Sequence, residues 1–278
     1  MMDNNANTVE VAAEGRRRGY WREVWQYHEL LLFLAWRDLK VRYKQTAIGV
    51  AWVILRPLIT MVILTFVFQR VAGLGKNLDV PYQMLVIAGL LPWHFFSTVF
   101  AESANSLVAN SQMISKVYFP RVLIPLSSSL AGAVDFMVTV LILVPFMIWF
   151  GVFPGLEILL FPLFLLLLIL FTLSIGIGFA ALNVRFRDVR FIVPFIVQIG
   201  LYVSPVGFSV YEIPEQWRVL YSLNPMVGIV EGFRWSLFGD SYPVPTFAVA
   251  VSVACTVLIM FASLHFFRKV ERTFADEI

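Results

Sequence analysis

The sequence predicts an all-α protein that crosses a membrane several times. Of its 278 residues, 59% are hydrophobic and 14% are charged, and the mean hydropathy is +0.80. A soluble globular domain carries about 25% charged residues, so this composition excludes a water-soluble fold. Apolar runs recur from residue 48 to residue 267 with no long polar interval, and nothing in the sequence marks a separate soluble catalytic domain.

The N-terminal part of the chain is predicted to precede the membrane domain. Residues 1–19 are polar, end in three consecutive arginines and are not followed by the apolar core of a signal peptide, so we expect a flexible cytoplasmic tail. In residues 20–45, apolar side chains including three tryptophans recur at intervals of three and four, and basic residues follow. This pattern is typical of an amphipathic helix in the cytoplasmic membrane interface, with a basic connector. Packing on a partner protein is the alternative, compatible with the first. The transmembrane domain then covers 46–278.

The membrane spans follow from the apolar runs. A stretch of about 20 apolar residues crosses the hydrocarbon core, and six stretches qualify: 48–71, 84–107, 122–150, 156–182, 189–209 and 245–267. Six spans place both termini on the same side. With this topology seventeen Lys and Arg residues share that side and four share the other. The positive-inside rule therefore places both termini in the cytoplasm, whereas one missed span would remove the asymmetry.

The connection between the fifth and sixth spans is too apolar for an ordinary outer loop. It covers residues 211–239 and is interrupted at Asn224-Pro225, where Asn is a helix cap and Pro suits a first helical turn. Two short helices are predicted, Pro214–Leu223 and Pro225–Phe238, with lengths of roughly 15 and 20 Å. Neither is long enough to span, so we expect a re-entrant hairpin dipping in from the outer side, around a protein-lined or water-filled cavity.

A few charged side chains fall within apolar segments, where each costs about 2.5 to 3.5 kcal/mol at a helix centre. Arg56 is close enough to the end of its span to extend to the cytoplasmic interface. Glu102 shares its span with serines and an asparagine, which indicates a wet or bundle-facing side. Asp135 is interpreted either as an interhelical hydrogen-bond partner or as a proton or substrate site. Glu231 and Arg234 are expected to form an i,i+3 ion pair on the second re-entrant helix.

No motif for catalysis or cofactor binding occurs in the sequence. Gly75-Lys76 lacks the remainder of a phosphate-binding loop, the three histidines are scattered, and no G-x-S-x-G is present. The single cysteine, Cys255, lies in the last apolar run and is expected to pack there. We therefore expect no catalytic residue, no metal, no cofactor and no nucleic-acid partner for this chain.

Aromatic side chains within the spans are candidates for a polymer pathway, because sugar faces stack on aromatic rings. Contact with lipid is the alternative for each of them. The candidates are Trp93, Phe96, Phe195, Tyr202 and Phe208.

The inward connections are short and basic. The first is predicted to carry a cap at Ser111, a one- to two-turn helix at Gln112–Tyr118 and a stop at Pro120. In the second, Asp188 is placed to cap the fifth span. A docking helix fits the first connection, although a simple positive-inside anchor is the alternative for both.

Six blocks of sequence, in order and nearly along the whole chain, resemble the permease subunits of bacterial ABC-2 type exporters. The similarity is greatest to the O-antigen polysaccharide branch, with capsule and teichoic-acid permeases as near relatives. The blocks are RDLKVRYKQTAIGVAWVILRPL (37–58), GLLPWHFF (89–96), NSQMISKVYFPR (110–121), NVRFRDV (183–189), SPVGF (204–208) and NPMVGIVEGFRWSLFG (224–239).

The resemblance implies a homodimer in the bacterial inner membrane, assembled with two copies of a separate ATPase subunit that binds ATP and Mg. It implies a channel at the dimer axis, lined by the first and fifth spans, for a polymer on an undecaprenyl diphosphate anchor. An ATP-independent membrane enzyme or flippase is the alternative from another functional class.

The resemblance also assigns roles to residues of this sequence. The interface helix and a coupling helix in the first inward connection would contact the ATPase through Trp25, Glu29, Gln112, Met113, Ser115, Lys116 and Tyr118. The outer re-entrant pair would close the channel, with gate residues Asn224, Pro225, Glu231 and Arg234.

Overall fold

The computed structural model describes residues 16–44, 51–75, 80–271 and 274. Over these ranges the chain forms helices joined by turns, and no β-strand occurs among them. The α-helices are α1 (Arg16–Gln26), α2 (His28–Lys44), α3 (Ala51–Leu64), α4 (Tyr82–Ala109), α5 (Ser111–Ile114), α6 (Leu123–Phe150), α7 (Phe161–Arg185), α8 (Val189–Val203), α9 (Glu215–Tyr221), α10 (Pro225–Phe238) and α11 (Thr246–Val270). A π-helix at Thr65–Val71 continues α3, and a 3₁₀ turn at Leu156–Leu160 precedes α7.

Five of these helical segments have the length and composition of membrane spans. They are Ala51–Val71, Tyr82–Ala109, Leu123–Phe150, Leu156–Arg185 and Thr246–Val270. The prediction of an all-helical protein with several spans is confirmed. The predicted spans 84–107, 122–150, 156–182 and 245–267 each correspond to one of these segments, and the first extends over 51–71, since its residues 48–50 lie outside the described ranges.

The central element of the bundle is α4. It packs against α3, α6, α7, α8 and α10, and 78% of its most apolar window is buried, against 17% for α3 and for α11. The core around α4 contains large aromatic and aliphatic side chains from the neighbouring helices. The remaining spans therefore present much of their apolar surface outward, as expected for helices in contact with lipid or with another subunit.

The two ends of the bundle contain different elements of the chain. We call the end that holds α2, residues 110–121 and Val270 the proximal end, where a second core forms. We call the end that holds the N-terminus of α4 and most of α10 the distal end. At this end α6 stops at Gly151, whose φ of 67° is the left-handed conformation that favours glycine at a helix C-terminus.

The fifth predicted span is shorter than expected. The stretch 189–209 forms the 15-residue helix α8 and then a series of turns. Ser204 is extended, with φ −96° and ψ 152°, because the following Pro205 disfavours a helical conformation at this position. Asp188 occupies the N-cap position of α8 but its side chain makes no capping hydrogen bond, so the predicted cap is wrong.

Three predicted helical segments outside the spans differ from the prediction in their boundaries. The interface helix consists of α1 and α2, although hydrogen bonds from Tyr27 N to Glu23 O and from Leu31 N to Tyr27 O cross the junction. The predicted helix Gln112–Tyr118 is only the single turn α5, Ser111–Ile114, and residues 115–118 are not helical. The predicted helix Pro214–Leu223 is the shorter α9. Of the predicted tail at residues 1–19, residues 1–15 lie outside the described ranges, and residues 16–19 are helical because they belong to the start of α1.

Candidate functional site

At the distal end, α10 is buried among α4, α7 and α11. Its boundaries, Pro225–Phe238, are the predicted ones. It begins at Pro225, and Oδ1 of Asn224 accepts a hydrogen bond from the Met226 N–H at 3.0 Å, so the predicted cap is confirmed. A Cβ added at Gly228 would lie 2.2 Å from the carbonyl oxygen of Ala248, so only glycine permits this approach of α10 to α11. In contrast, no residue of α9 is buried.

The predicted ion pair between Glu231 and Arg234 is confirmed, with an N–O distance of 2.9 Å, and both side chains are 0% exposed. Arg234 also donates to three backbone carbonyls: those of Leu85 at 3.1 Å, Val206 at 2.9 Å and Phe208 at 2.9 Å. One guanidinium thus joins α10, α4 and the turns after α8. The sequence spacing indicated the pair but not the carbonyl contacts.

Glu231 has partners of its own in the same network. Its Oε1 accepts from the Val210 N–H at 3.0 Å, and its carboxylate accepts from the Tyr242 hydroxyl. Burial, together with the charge of Glu231, raises the pKa of Tyr242 well above its ordinary value, so this hydroxyl remains a donor. The network fixes the turns at residues 206–210 to the hairpin, since each charged group is both paired and hydrogen bonded.

The five candidate pathway aromatics divide into two groups. Trp93 and Phe96 are each 4% exposed, and Phe96 stacks on Phe171 with a centroid distance of 5.6 Å. Their rings belong to the core of the single chain, so the prediction that they line a pathway does not agree with their placement. Phe195 and Tyr202 are 61% and 63% exposed on α8.

Phe208, the fifth candidate, is half-buried. Its ring contacts Phe68 at 5.9 Å and Tyr221 at 6.1 Å between centroids. It therefore joins the middle of the π-helix that follows α3 to the C-terminal end of α9.

A cavity of about 560 Å³ lies between α2, α3, α4 and α6. At its wall, Nη2 of Arg42 donates to both carboxylate oxygens of Glu102, at 2.6 and 2.5 Å, and Nη1 donates to Asp135. The Tyr43 hydroxyl also donates to Asp135. Burial, followed by the hydrogen bond to Asp135 and its charge, raises the pKa of Tyr43 to about 12. The two carboxylates therefore meet an arginine and a tyrosine from the interface helix.

The sequence interpretation located Glu102 and Asp135 but missed their partners. Arg42 is 60 positions from Glu102 and 93 from Asp135, and no spacing rule relates residues this far apart. The contacts agree with the interhelical hydrogen bond expected for Asp135. Arg56 lines the same cavity from α3 and is exposed, as its position near the end of a span indicates.

At the proximal end, the candidate ATPase-contacting residues lie on the surface. Gln112, Ser115, Lys116 and Tyr118 are exposed, and Met113 is half-buried. On α1 and α2, Trp25 is 77% exposed and Glu29 is exposed.

Behind this surface the segment is held by apolar anchors. Ile114 and Phe119 are buried in the proximal core. The segment 110–121 therefore presents its polar side chains outward from a fixed apolar base.

Helix α2 is attached to the bundle by polar contacts besides those of Arg42. Nη2 of Arg37 donates to Oδ1 of Asn110 at 2.9 Å, and the Ser127 hydroxyl donates to Oδ2 of Asp38 at 3.3 Å. These contacts hold α2 against the start of the 110–121 segment and against α6.

No metal site emerges from the residues that the structure covers. Among them, no three His, Cys, Asp or Glu side chains are grouped closely enough to hold a metal ion.

Comparison with known proteins places these features in context. Residues 29–238 match the model of the ABC-2 type transporter family. The chain is 30% identical over 253 residues to the O-antigen export system permease protein RfbA of Klebsiella pneumoniae, covering 89% of this chain and 94% of that protein. It is 29% identical to the protein of the same name from Myxococcus xanthus, covering 92% and 98%. It is 26% identical to the polysialic acid transport protein KpsM of Escherichia coli, covering 72% and 77%.

Proposed function

Since this chain belongs to the ABC-2 type transporter family, we propose that it is the membrane permease of an ATP-driven exporter of O-antigen polysaccharide linked to undecaprenyl diphosphate. The observation that carries the proposal is its similarity, over nearly the full length of both proteins, to two permeases named for O-antigen export. The chain is a transport subunit, and ATP hydrolysis is assigned to a separate nucleotide-binding subunit. ATP and Mg would accordingly be bound by that partner.

We propose six membrane crossings, with α8 as the fifth. At one end, Nδ2 of Asn183, near the end of α7, donates to the carbonyl of Ala104. At the other end, Arg234 binds the carbonyls of both Val206 and Leu85. The chain from 186 to 206 therefore runs beside α4 from the level of Ala104 to the level of Leu85. Along the axis of α4 this distance is about 28 Å, at 1.5 Å per residue. That distance is close to the ~30 Å of the hydrocarbon core.

With six crossings, the charge asymmetry assigns the proximal end to the cytoplasm and the distal end to the outer side. Seventeen basic residues then share the cytoplasmic face and four share the outer face. In this orientation α9 and α10 form the outer re-entrant pair. The proposed domain organisation is a tail that precedes α1, an interface helix and connector up to residue 45, and a membrane domain at 46–278.

We propose a homodimer whose channel is bordered by α3 and α8 of each copy. The exposed aromatic side chains of α8 and the outward face of α3 are apolar surfaces that require lipid or protein cover. A two-fold dimer covers the same patch on both copies. Phe195 and Tyr202 are then the aromatic candidates for contact with the passing glycan, and Phe208, with Asn224 and Pro225, belongs to the outer gate.

The exposed part of segment 110–121 is the proposed contact for the ATPase. Its polar side chains stand on a buried apolar base, which is an arrangement suited to docking. The exposed residues Trp25 and Glu29 extend this surface onto the interface helix. Two copies of the ATPase would bind the homodimer.

A capsular polysaccharide exporter is the second candidate. It is favoured by the similarity to a protein named for polysialic acid transport, although the identity is lower and the shared length is smaller. A teichoic-acid exporter would use the same architecture. The alternative of an ATP-independent membrane enzyme or flippase has no comparable observation in its favour.

Deletion of the gene tests the substrate. We expect lipid-linked O-antigen to accumulate inside the cell and to disappear from the surface, with both effects reversed by a plasmid-borne copy. Loss of surface capsule with normal O-antigen would favour the second candidate. Normal surface polymers of every class, together with failure to copurify an ATPase, would contradict the exporter assignment.

A further inference from the structure

The last described residues of the chain fold back onto the end of segment 110–121. The backbone N–H of Arg121 donates to Oε1 of Glu271 at 3.0 Å, and the Arg121 guanidinium donates to the backbone carbonyl of Glu271. The same guanidinium lies 5.7 Å from the ring centroid of Phe274. Arg121 is therefore attached to the residues after α11 by three separate contacts.

These C-terminal residues are part of the proximal core rather than a loose tail. Phe274 is 0% exposed and Phe267 is 1% exposed. Their rings meet edge to face, with centroids 5.5 Å apart. They share the core with Ile114 and Phe119, the buried residues of segment 110–121. We call Glu271 and Phe274 the C-terminal anchor.

The other end of the segment is also fixed. Oδ1 of Asn110 accepts from Arg37 at 2.9 Å, and its Nδ2 donates to the carbonyl of Ser106 at 2.8 Å. Segment 110–121 is thus held to α2 and α4 at its beginning and to the C-terminal anchor at its end. Its exposed middle is the part that a partner reaches.

The anchor directly follows α11, the helix that packs against α10. Near the far end of α11, the Ser252 hydroxyl donates to the carbonyl of Pro225 at 2.6 Å, and Gly228 approaches the Ala248 backbone without room for a Cβ. Over its 25 residues, α11 rises about 37 Å. One helix therefore contacts segment 110–121 at one end and α10 at the other.

We propose that Glu271 and Phe274 are positioning residues for transport, which fix segment 110–121 to α11 so that displacement of this segment by the ATPase moves α10. The inference rests on the proposed contact between the segment and the ATPase. Coupling between distant sites is carried by packed side chains, hydrogen-bond networks and rigid helices that connect them. The anchor connects segment 110–121 to α11. At the other end of α11, the contacts of Gly228 and Ser252 connect this helix to α10.

The test compares Glu271→Ala and Glu271→Gln in the protein coexpressed with its ATPase. Glutamine keeps the Oε1 acceptor for the Arg121 N–H, and alanine removes it. Lys269→Ala is the matched control, because Lys269 is exposed at the same end of α11. The readout is maleimide labelling of Leu223→Cys, in a Cys255→Ser background, with and without ATP. Leu223 lies in the hairpin between α9 and α10 and is 55% exposed.

We expect the ATP-dependent change in labelling rate to fall about fivefold or more in Glu271→Ala, the lower bound of typical allosteric coupling. Glu271→Gln and Lys269→Ala are expected to keep the response, and all variants are expected to insert, to copurify with the ATPase and to hydrolyse ATP. A full response in Glu271→Ala would overturn the inference. If Glu271→Ala fails to insert, Phe274→Ala replaces it, because alanine removes the ring beside Arg121 and its edge-to-face contact with Phe267, and a full response in that variant would overturn the inference.

Failure of the proposed function has a different signature. In that case the protein with an intact anchor copurifies with no ATPase. Its Leu223→Cys, Cys255→Ser form also shows no ATP-dependent change in labelling. A response in the unmodified protein that survives loss of the anchor contradicts only the positioning role.

Discussion

Two arginines, Arg234 at the distal end and Arg42 at the proximal end, hold acidic side chains in different ways. Arg234 and Glu231 are both 0% exposed. Arg234 binds the Glu231 carboxylate and three backbone carbonyls. Arg42 joins Glu102 and Asp135 at the wall of a cavity, and the side chains retain exposures of 23%, 35% and 18%.

The difference indicates which of the two sites is able to rearrange. At Arg234, breaking any contact leaves a charged or carbonyl group unpaired in a buried core, so the network keeps α10, the turns at 206–210 and the start of α4 together as one unit. At Arg42, the carboxylates border open volume, so water is able to replace a lost contact at a lower cost. The distal network is therefore expected to hold α10 in place against its neighbours, and the proximal one to permit movement of α2 relative to α4 and α6.

The largest expected effect is that of Arg234→Ala. It leaves Glu231 buried without its counter-ion and removes a hydrogen-bond donor from three carbonyls. We expect a loss of about 3 to 5 kcal/mol in unfolding free energy, the range for breaking a buried pair by removing one partner. The measurement is denaturant unfolding of the purified protein in detergent.

Arg218→Ala is the control for this loss. Arg218 also donates to backbone carbonyls, those of Tyr211 and Ile213, but its side chain is 32% exposed. We expect a cost of no more than about 1 kcal/mol, as for exposed ion pairs. Equal losses in the two variants would show that the distal network is not sealed from water.

Gly228→Ala tests the packing that accompanies the distal network. The added methyl would lie 2.2 Å from the Ala248 carbonyl oxygen, so α10 and α11 must separate. We expect a loss of about 1 to 3 kcal/mol from overpacking. Gly19→Ala is the control because a Cβ there meets nothing within 4 Å, and an equal loss in both would contradict the close contact.

A smaller loss is expected for Arg42→Ala. Interhelical polar contacts in membrane proteins average about 0.6 kcal/mol and reach about 1.7, and the cavity admits water to the two carboxylates that remain. Lys40→Ala, at an exposed position on the same helix, is expected to have no measurable effect. A loss as large as that of Arg234→Ala would remove the distinction between the two arginine sites.

The distal hairpin was predictable because its signals are local. The cap at Asn224 and the proline after it define the start of α10 within a single stretch of sequence, and the i,i+3 spacing places Glu231 beside Arg234. The bounds of α8 were predicted too far toward the C-terminus, because apolar composition continues past Ser204 although Pro205 ends the helix.

The arginine cluster at the cavity was not predictable in the same way. Arg42 reads as one basic residue among several in a connector, and its partners lie on two other helices. Trp93 and Phe96 are a similar case, because an aromatic run within a span has the same sequence whether it faces a channel or a core. Helix rotation is set by packing against neighbours, which a single sequence does not specify.

The smallest effect on stability, and the one that separates stability from function, is expected for Lys116→Glu. Lys116 is exposed in the middle of segment 110–121, while the ends of the segment are held by Asn110 and Arg121. The unfolding free energy should therefore change by less than about 0.5 kcal/mol, as for surface substitutions. A reversed charge at the centre of the docking surface is nevertheless expected to lower polymer-stimulated ATP turnover severalfold, because a segment transmits force only through its contacts. Lys269→Glu makes the same charge change at an exposed position outside the segment and should leave turnover intact. If turnover and export are normal in Lys116→Glu, or if Lys269→Glu lowers them equally, the segment acts as a positive-inside anchor and not as the ATPase contact.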